Sequence, residues 1–192
     1  MTKIKIILFL ILSLLIILSC AKRDSEGNID KELLDGVKKG ELVKVQDALY
    51  RGIDVNARAQ QGFTALMIAS FYGYTDIVEY LIENGADVNA RNDSSWTALL
   101  WAAAEGYPEI VKILIENSAD VDAKDDLLGW TALIAATSGG YTSIVQTIIE
   151  SGADVNIKSK NAQTALMEAK EKGHTKIIEL LKEFGAEENN QK

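Results

Sequence analysis

The sequence predicts an all-α repeat solenoid of about five units, and two observations indicate that fold class. The phrase Thr-Ala-Leu recurs at a spacing of 33 or 34 residues, and a glycine follows each copy nine residues later. A repeat of this length holds two short helices that cannot bury their apolar faces alone, so neighbouring repeats must stack on a continuous core. The copies begin at Thr64, Thr97, Thr131 and Thr164.

The second repeat shows how one unit is built. The hydroxyl of Thr64 can cap a first helix over residues 65–72, and Gly73 ends that helix because glycine tolerates a positive φ. Thr75 begins a second helix, and Gly85 ends it. The side chains at helical spacing that should face the core are Ile77, Val78, Leu81 and Ile82.

A loop phrase of the form Gly-Ala-Asp-Val-Asn closes most repeats. Ser118 stands where the other repeats have glycine, so we expect a positive φ there at a cost of about 1 kcal/mol. The aspartates of this phrase could bind a metal or act as acids and bases, as could Asp125 with Asp126. Because the phrase recurs once per repeat, a structural role in the loop is favoured. Its aspartates are Asp54, Asp87, Asp120 and Asp154.

Together these landmarks resemble the ankyrin repeat, whose phrases are Thr-Pro-Leu-His, Gly-His and Gly-Ala-Asp-Val-Asn. The resemblance covers residues 30–187 and implies helix-turn-helix units joined by β-hairpin-like loops. The first repeat lacks the Thr-Ala-Leu phrase, and alanine replaces the family's proline in the others. The second family histidine is matched by His174 and replaced by Tyr74, Tyr107 and Tyr141. The implied repeats are 30–58, 59–91, 92–124, 125–158 and 159–187.

The first 19 residues have the pattern of a secretory signal peptide. Lys3 and Lys5 precede a 13-residue apolar run, shorter than the roughly 20 residues of a spanning helix. The run ends at Cys20, and this boundary resembles the bacterial lipobox, in which the cysteine is acylated. Residues 20–29 then form a polar tether. The alternative is a free thiol at the end of a signal anchor.

The resemblance implies an exported protein that is lipid-anchored to the bacterial envelope, on the periplasmic face or at the outer membrane. Its partners would be the membrane, through the lipid on Cys20, and another protein. The formal charge of −8 and the lack of a basic stripe argue against nucleic acid. We expect a monomer with a disordered tail over residues 188–192.

No cluster of residues in the sequence points to catalysis. His174 could serve as a base or ligand, but it occupies the family's own histidine position and the chain contains one histidine. We find no Gly-rich phosphate loop, nucleophile elbow or Cys/His cluster. We therefore predict that the protein is not an enzyme and has no cofactor, metal or catalytic residue.

The resemblance implies a protein-binding face made by the hairpin tips and the first helices. Large aromatic side chains there suit binding anchors. The alternative is that Phe63, Trp96 and Trp130 pack between neighbouring loops, and Trp101 is expected in the core. The predicted binding residues are Phe63, Phe71, Tyr72, Asp93, Trp96, Glu105, Asp126, Leu127, Leu128, Trp130 and Lys172.

The hairpin of the fourth repeat is the sharpest candidate, because the spacing from Thr97 to Thr131 is 34 residues rather than 33. Leu127 and Leu128 lie in that enlarged tip, where they either fold back onto Trp130 or contact a partner. We favour the partner. The predicted function is a non-enzymatic interaction scaffold. The alternatives are a protective or inhibitory accessory of one envelope enzyme and a structural envelope component without a specific ligand.

Overall fold

The computed structural model describes residues 30–188 and confirms the all-α solenoid. Within those residues, ten α-helices pair into five helix-turn-helix units, and each first helix packs on the first helices of its neighbours. A short 3-10 helix, Gln60–Gly62, lies in the loop between the first two repeats. The helices are α1 Asp30–Lys38, α2 Leu42–Tyr50, α3 Ala65–Tyr72, α4 Thr75–Glu83, α5 Ala98–Glu105, α6 Pro108–Glu116, α7 Ala132–Gly139, α8 Thr142–Glu150, α9 Ala165–Lys172 and α10 Thr175–Glu183.

The predicted signals start and stop the first helix of repeats two to five. Thr64 Oγ1 accepts a hydrogen bond from Met67 N at 3.3 Å, which satisfies one free N–H at the start of α3. The helix ends at Gly73, whose φ of 79° lies in the left-handed region. Thr97, Thr131 and Thr164 cap α5, α7 and α9 in the same way.

The tyrosines that replace the family histidine pack against glycines of the preceding repeat. A methyl group added at Gly73 would lie 2.5 Å from a ring carbon of Tyr107, closer than real contacts allow. Gly40 lies under Tyr74 and Gly106 under Tyr141 in the same manner. The bare glycine backbone therefore makes room for the aromatic ring that joins one repeat to the next.

The core runs along the first helices. Residues 65–70 of α3 are all buried, whereas α4 buries only the stripe Ile77, Val78 and Leu81. This difference follows from position, because an interior first helix such as α3 is enclosed by the first helices on both sides and by the second helices. Small residues such as Ala69 and Ala102 allow this close approach. The predicted core residue Trp101 is buried in α5.

The aspartates of the loop phrase have structural roles. Asp54 Oδ1 accepts the N–H of Asn56 at 2.9 Å, and Asp87, Asp120 and Asp154 do the same for the residue two positions later. The next side chain links the repeats: Asn56 Nδ2 donates to Gly85 O at 3.1 Å, and Asn56 Oδ1 accepts from Asp87 N at 2.7 Å. Each loop is thereby fastened to the next.

The third loop departs from this pattern because Asp122 occupies the position of the bridging asparagine. Its carboxylate oxygens accept from Asp154 N at 3.1 and 3.4 Å, but a carboxylate has no hydrogen to give to the next repeat. Burial raises the pKa of Asp122, and the nearby charges of Asp154 and Asp120 raise it further. This junction has only half of the hydrogen-bonded bridge.

The backbone of Ser118 has a φ of 64°, which confirms the expected left-handed conformation. Its glycine counterparts, such as Gly85 at 86°, have the same conformation without a side chain. Ser118 therefore carries the strain that glycine avoids.

Three of the predicted segments lie wholly or partly outside the described residues. They are the signal peptide 1–19, the tether 20–29 with Cys20, and residues 189–192 of the tail. Glu188 is described, and it pairs with Lys170 at 3.0 Å and Lys182 at 2.9 Å. These ammonium groups lower the pKa of Glu188 to about 2. Between residues 30 and 188, no helix is long and apolar enough to cross a membrane.

Candidate binding surface

Four hairpin loops project between consecutive repeats, and we call them fingers. They comprise residues 59–63, 92–96, 125–130 and 159–163. One backbone hydrogen bond closes each finger at its base, as Asn92 N donates to Trp96 O at 3.1 Å and Asp125 N to Trp130 O at 3.1 Å. The corresponding bonds of the first and last fingers join Ala59 N to Phe63 O and Ser159 N to Gln163 O.

Backbone hydrogen bonds also join the fingers into a row. Asp93 N donates to Gln61 O at 2.9 Å, and Asp126 N donates to Ser94 O at 3.0 Å. The fourth finger continues the series, since Lys160 N donates to Leu128 O at 2.9 Å. The tips therefore form one connected surface rather than four independent loops.

The burial of Phe63 and Trp96 corrects the expectation that these side chains are exposed anchors. Both pack on Trp101, with ring centroids 5.8 Å and 4.2 Å away respectively. Trp101 occupies a position where the neighbouring repeats have Ile68 and Ala135, so its large ring fills the space beneath the fingers. These two residues therefore have a packing role, as the alternative held, although the ring they contact belongs to helix α5 and not to a neighbouring loop.

Phe71 and Tyr72 lie at the end of α3, and both are half-buried. Phe71 meets Trp101 edge-to-face at a centroid distance of 5.3 Å, while Tyr72 stacks on Tyr74 at 5.7 Å. Phe63 and Phe71 thus approach Trp101 from a finger and from a helix end. The fingers and the last turns of the first helices form a single surface, which we call the finger face.

The third finger, residues 125–130, is built around a buried carboxylate. Asp125 is 2% exposed, and its oxygens accept N–H groups from Leu127 at 2.7 Å, Leu128 at 2.7 Å and Trp130 at 2.6 Å. In the preceding finger, the amide oxygen of Asn92 accepts only two N–H groups, from Ser94 and Trp96. Two carboxylate oxygens satisfy the extra donor of the longer loop.

The sequence identifies this loop and the adjacent carboxylates of Asp125 and Asp126, but it does not reveal the role of Asp125 in the loop. The carboxylate of Asp125 accepts its hydrogen bonds from backbone N–H groups of the loop, so its role is to hold the loop in shape. Leu127 is 58% exposed at the tip, whereas Leu128 and Trp130 are half-buried. Leu127 therefore offers the apolar surface that the partner hypothesis requires.

The charged members of the predicted face differ in their availability. Asp93 and Asp126 are exposed at the tips, and Asp126 accepts a hydrogen bond from Ser95 Oγ. Glu105 is half-buried at the end of α5, and this burial raises the pKa of its carboxyl group. The finger face therefore carries acidic groups both at the finger tips and at a helix end.

Lys172 is less available to a partner than the sequence suggested. Its ammonium pairs with Glu168 at 3.7 Å, and both side chains are largely buried. Ser138 Oγ donates to Glu168 Oε1 at 2.8 Å, so the pair also links α7 to α9. The ammonium group of Lys172 therefore neutralises the buried carboxylate of Glu168 within the solenoid.

Within residues 30–188, no three His, Cys, Asp or Glu side chains are placed to hold a metal ion. His174 packs over Gly140, in the place that tyrosines occupy in the other repeats. Its position accounts for the ring as a packing element between the last two repeats.

Stacked helix pairs with a row of connected fingers define a helical repeat protein that presents an extended surface. Two comparisons identify the repeat. The chain matches the family described as ankyrin repeats over residues 33–125 and 122–192. It is 33% identical over 58 residues to an ankyrin repeat protein of Rickettsia felis, covering 30% of this chain and 92% of that protein. The chain belongs to the ankyrin repeat family, whose members generally bind other proteins.

Proposed function

We propose that this protein is a non-enzymatic scaffold that binds another protein through its finger face while a lipid on Cys20 anchors it to the bacterial envelope. The exposure of Leu127 on the third finger carries the binding part of the proposal. The anchor is supported by the basic residues, apolar run and cysteine that begin the chain. The proposed form of the protein is a monomer.

Leu127 is suited to contact a partner because the loop holds it in place. The three hydrogen bonds to Asp125 fix the backbone on both sides of the leucine, so little loop freedom is lost on binding. Covering the apolar surface of one such side chain contributes on the order of 1–2 kcal/mol. Half-buried Leu128 and Trp130 extend the apolar area beside it.

The binding part is tested by replacing Leu127 and Leu128 with serine. Partner capture from envelope extract should weaken roughly tenfold or more, as for anchors worth above 1 kcal/mol, while the thermal midpoint stays nearly unchanged. Phe184→Ser is the matched control, because Phe184 is an exposed apolar residue outside the finger face. A double variant that loses stability yet keeps its partner assigns the leucines to packing and moves the site elsewhere.

The same capture experiment separates the alternatives. One stoichiometric partner supports specific binding, and an enzyme whose activity or lifetime changes with that partner supports the accessory function. Many weak partners, unaffected by the leucine substitutions, support a structural envelope component.

The anchor is tested with Cys20→Ser. This substitution should block acylation and leave an unprocessed or soluble protein. Recovery of the variant as a correctly processed, membrane-bound protein would refute the lipid anchor.

A further inference from the structure

The outer face of α2 carries two exposed apolar side chains. Val43 is 77% exposed and Tyr50 is 91% exposed. They lie seven residues apart, which places them on the same side of the helix, with Gln46 exposed between them. We call this surface the α2 patch. Among residues 30–188, the other large exposed hydrophobic residues are Leu127 and Phe184, which lie in other repeats.

The α2 patch is specific to the first repeat. The position of Val43 is polar or charged in every later second helix, and the position of Tyr50 is a glutamate in all of them. The α2 patch is therefore a local departure from a repeated pattern that otherwise faces water. The equivalent residues are Asp76, Glu109, Ser143 and Lys176, and Glu83, Glu116, Glu150 and Glu183.

The charge of the first repeat also differs from that of the repeats beside it. Residues 30–58 hold six acidic and six basic side chains, whereas residues 59–158 hold fourteen acidic and four basic ones. Near the α2 patch, Lys44 pairs with Glu41 at 2.5 Å, and Arg51 pairs with Asp47 at 3.3 Å and with Glu32. An anionic lipid surface would repel the middle repeats and would not repel the first.

The first repeat is also the one nearest to the proposed anchor. Helix α1 begins at Asp30 and packs directly on α2. Cys20 lies ten residues earlier, and ten residues span at most about 35 Å when fully extended. A lipid on Cys20 therefore keeps α2 within reach of the headgroup layer.

We propose that the α2 patch lies against the lipid surface, with Val43 and Tyr50 entering the headgroup region. Tyrosine suits this boundary because its ring is apolar while its hydroxyl stays in contact with water. Two side chains bury too little area to anchor a protein, so the patch sets the orientation of a chain that the acyl groups already hold. This inference depends on the proposed lipid anchor. Its consequence is that the solenoid extends from the membrane with its first repeat innermost.

The test uses the acylated full-length protein in vesicles of phosphatidylcholine and phosphatidylglycerol. Acylation consumes the chain's one cysteine, so Gln46→Cys carries a unique spin label between Val43 and Tyr50. Glu79→Cys is the matched control at the equivalent position of α4. The collision rate of the spin label with a water-soluble nickel complex should be at least about threefold lower at position 46 than at position 79, because the headgroups exclude the complex. Adding Val43→Ser and Tyr50→Ser should remove that difference while the circular dichroism spectrum and thermal midpoint stay unchanged.

Three other results would overturn the inference. Equal exposure at positions 46 and 79, in protein that floats with the vesicles, refutes the patch while the anchor stands. Protein that does not float, and whose thiols at positions 20 and 46 both take the label, refutes the anchor and the patch together. Protection that grows with the ratio of protein to lipid shows that a second copy covers the patch.

Discussion

Replacing Asp122 with asparagine should stabilise the protein by completing the bridge between its third and fourth repeats. At the equivalent junctions, Asn89 Nδ2 donates to Ser118 O at 2.9 Å and Asn156 Nδ2 donates to Gly185 O at 3.2 Å. Asp122 accepts a hydrogen bond from Asp154 N, just as these asparagines accept one from the next repeat. Its carboxylate, however, cannot donate a hydrogen bond to Gly152 O. The substitution supplies the missing amide donor without changing the size of the side chain.

The size of the effect follows from one hydrogen bond and two charges. A hydrogen bond contributes about 0.5–1.5 kcal/mol net, and removing a partly exposed carboxylate beside Asp120 and Asp154 adds a smaller amount. We expect the free energy of unfolding to rise by about 1 kcal/mol at neutral pH, which for a domain of this size raises the thermal midpoint by roughly 2–4 °C.

The stabilisation produced by Asp122→Asn should also depend on pH in a defined direction. The pKa of Asp122 in the folded protein is raised above its ordinary value, so the folded state binds this proton more tightly than the unfolded state. The wild type therefore gains stability from this group as the pH falls through the folded pKa, and it loses that contribution as the pH rises. Protonated Asp122 can also donate a hydrogen bond, as asparagine does. The advantage of Asp122→Asn should be largest near neutral pH and shrink towards pH 4.

Urea denaturation of both proteins at the two pH values checks this reasoning, since the two proteins differ at this side chain alone. Asn89→Asp is the reverse control and should lower stability at neutral pH by breaking an intact bridge. A stabilisation that is absent, or that grows as the pH falls, would refute the account of the third junction.

Three further substitutions test other parts of the solenoid. Ser118→Gly should raise the urea midpoint by relieving about 1 kcal/mol of backbone strain, and a lower midpoint would mean that the hydroxyl makes a compensating bond. Gly73→Ala should destabilise more than Gly85→Ala, because both glycines have a positive φ but only the first lies against a neighbouring tyrosine ring; equal thermal midpoints would contradict that contact. Asp125→Ala leaves three loop N–H groups without their acceptor and should cost about 1–3 kcal/mol in chemical denaturation, with Asp125→Asn losing less. An unchanged midpoint for Asp125→Ala would show that water replaces the carboxylate at no cost.

The helices of this protein were predictable because their start and stop signals are local. A threonine hydroxyl starts the first helix of repeats two to five by accepting the backbone N–H three residues later, and a glycine ends the helix after its last turn. Both signals lie within one short segment of the chain. The positive φ of Ser118 was predictable for the same reason, since its register with Gly85 fixes the backbone that it must adopt.

The direction of the finger aromatics was not predictable from the sequence. Phe63 and Trp96 turn inward because Trp101, on a different element, provides a ring surface beneath the loops. The role of Asp125 likewise depends on how the longer loop folds around one carboxylate. The incomplete bridge at Asp122 did have a sequence signal, because asparagine stands at this position in the loops before and after it.

The contacts between glycines and aromatic rings give the solenoid a direction. Each ring comes from the following repeat, so Gly40 is covered only while the second repeat is folded, and Gly140 only while the fifth is. Fraying from the carboxyl end uncovers one glycine for each repeat lost, whereas fraying from the amino end leaves an aromatic ring without its glycine. Gly173 has no atoms over it within 4 Å among the described residues, so it is the natural junction for grafting an additional repeat. A grafted unit that carries tyrosine at the start of its second helix would lengthen the array by the same contact that already joins its members.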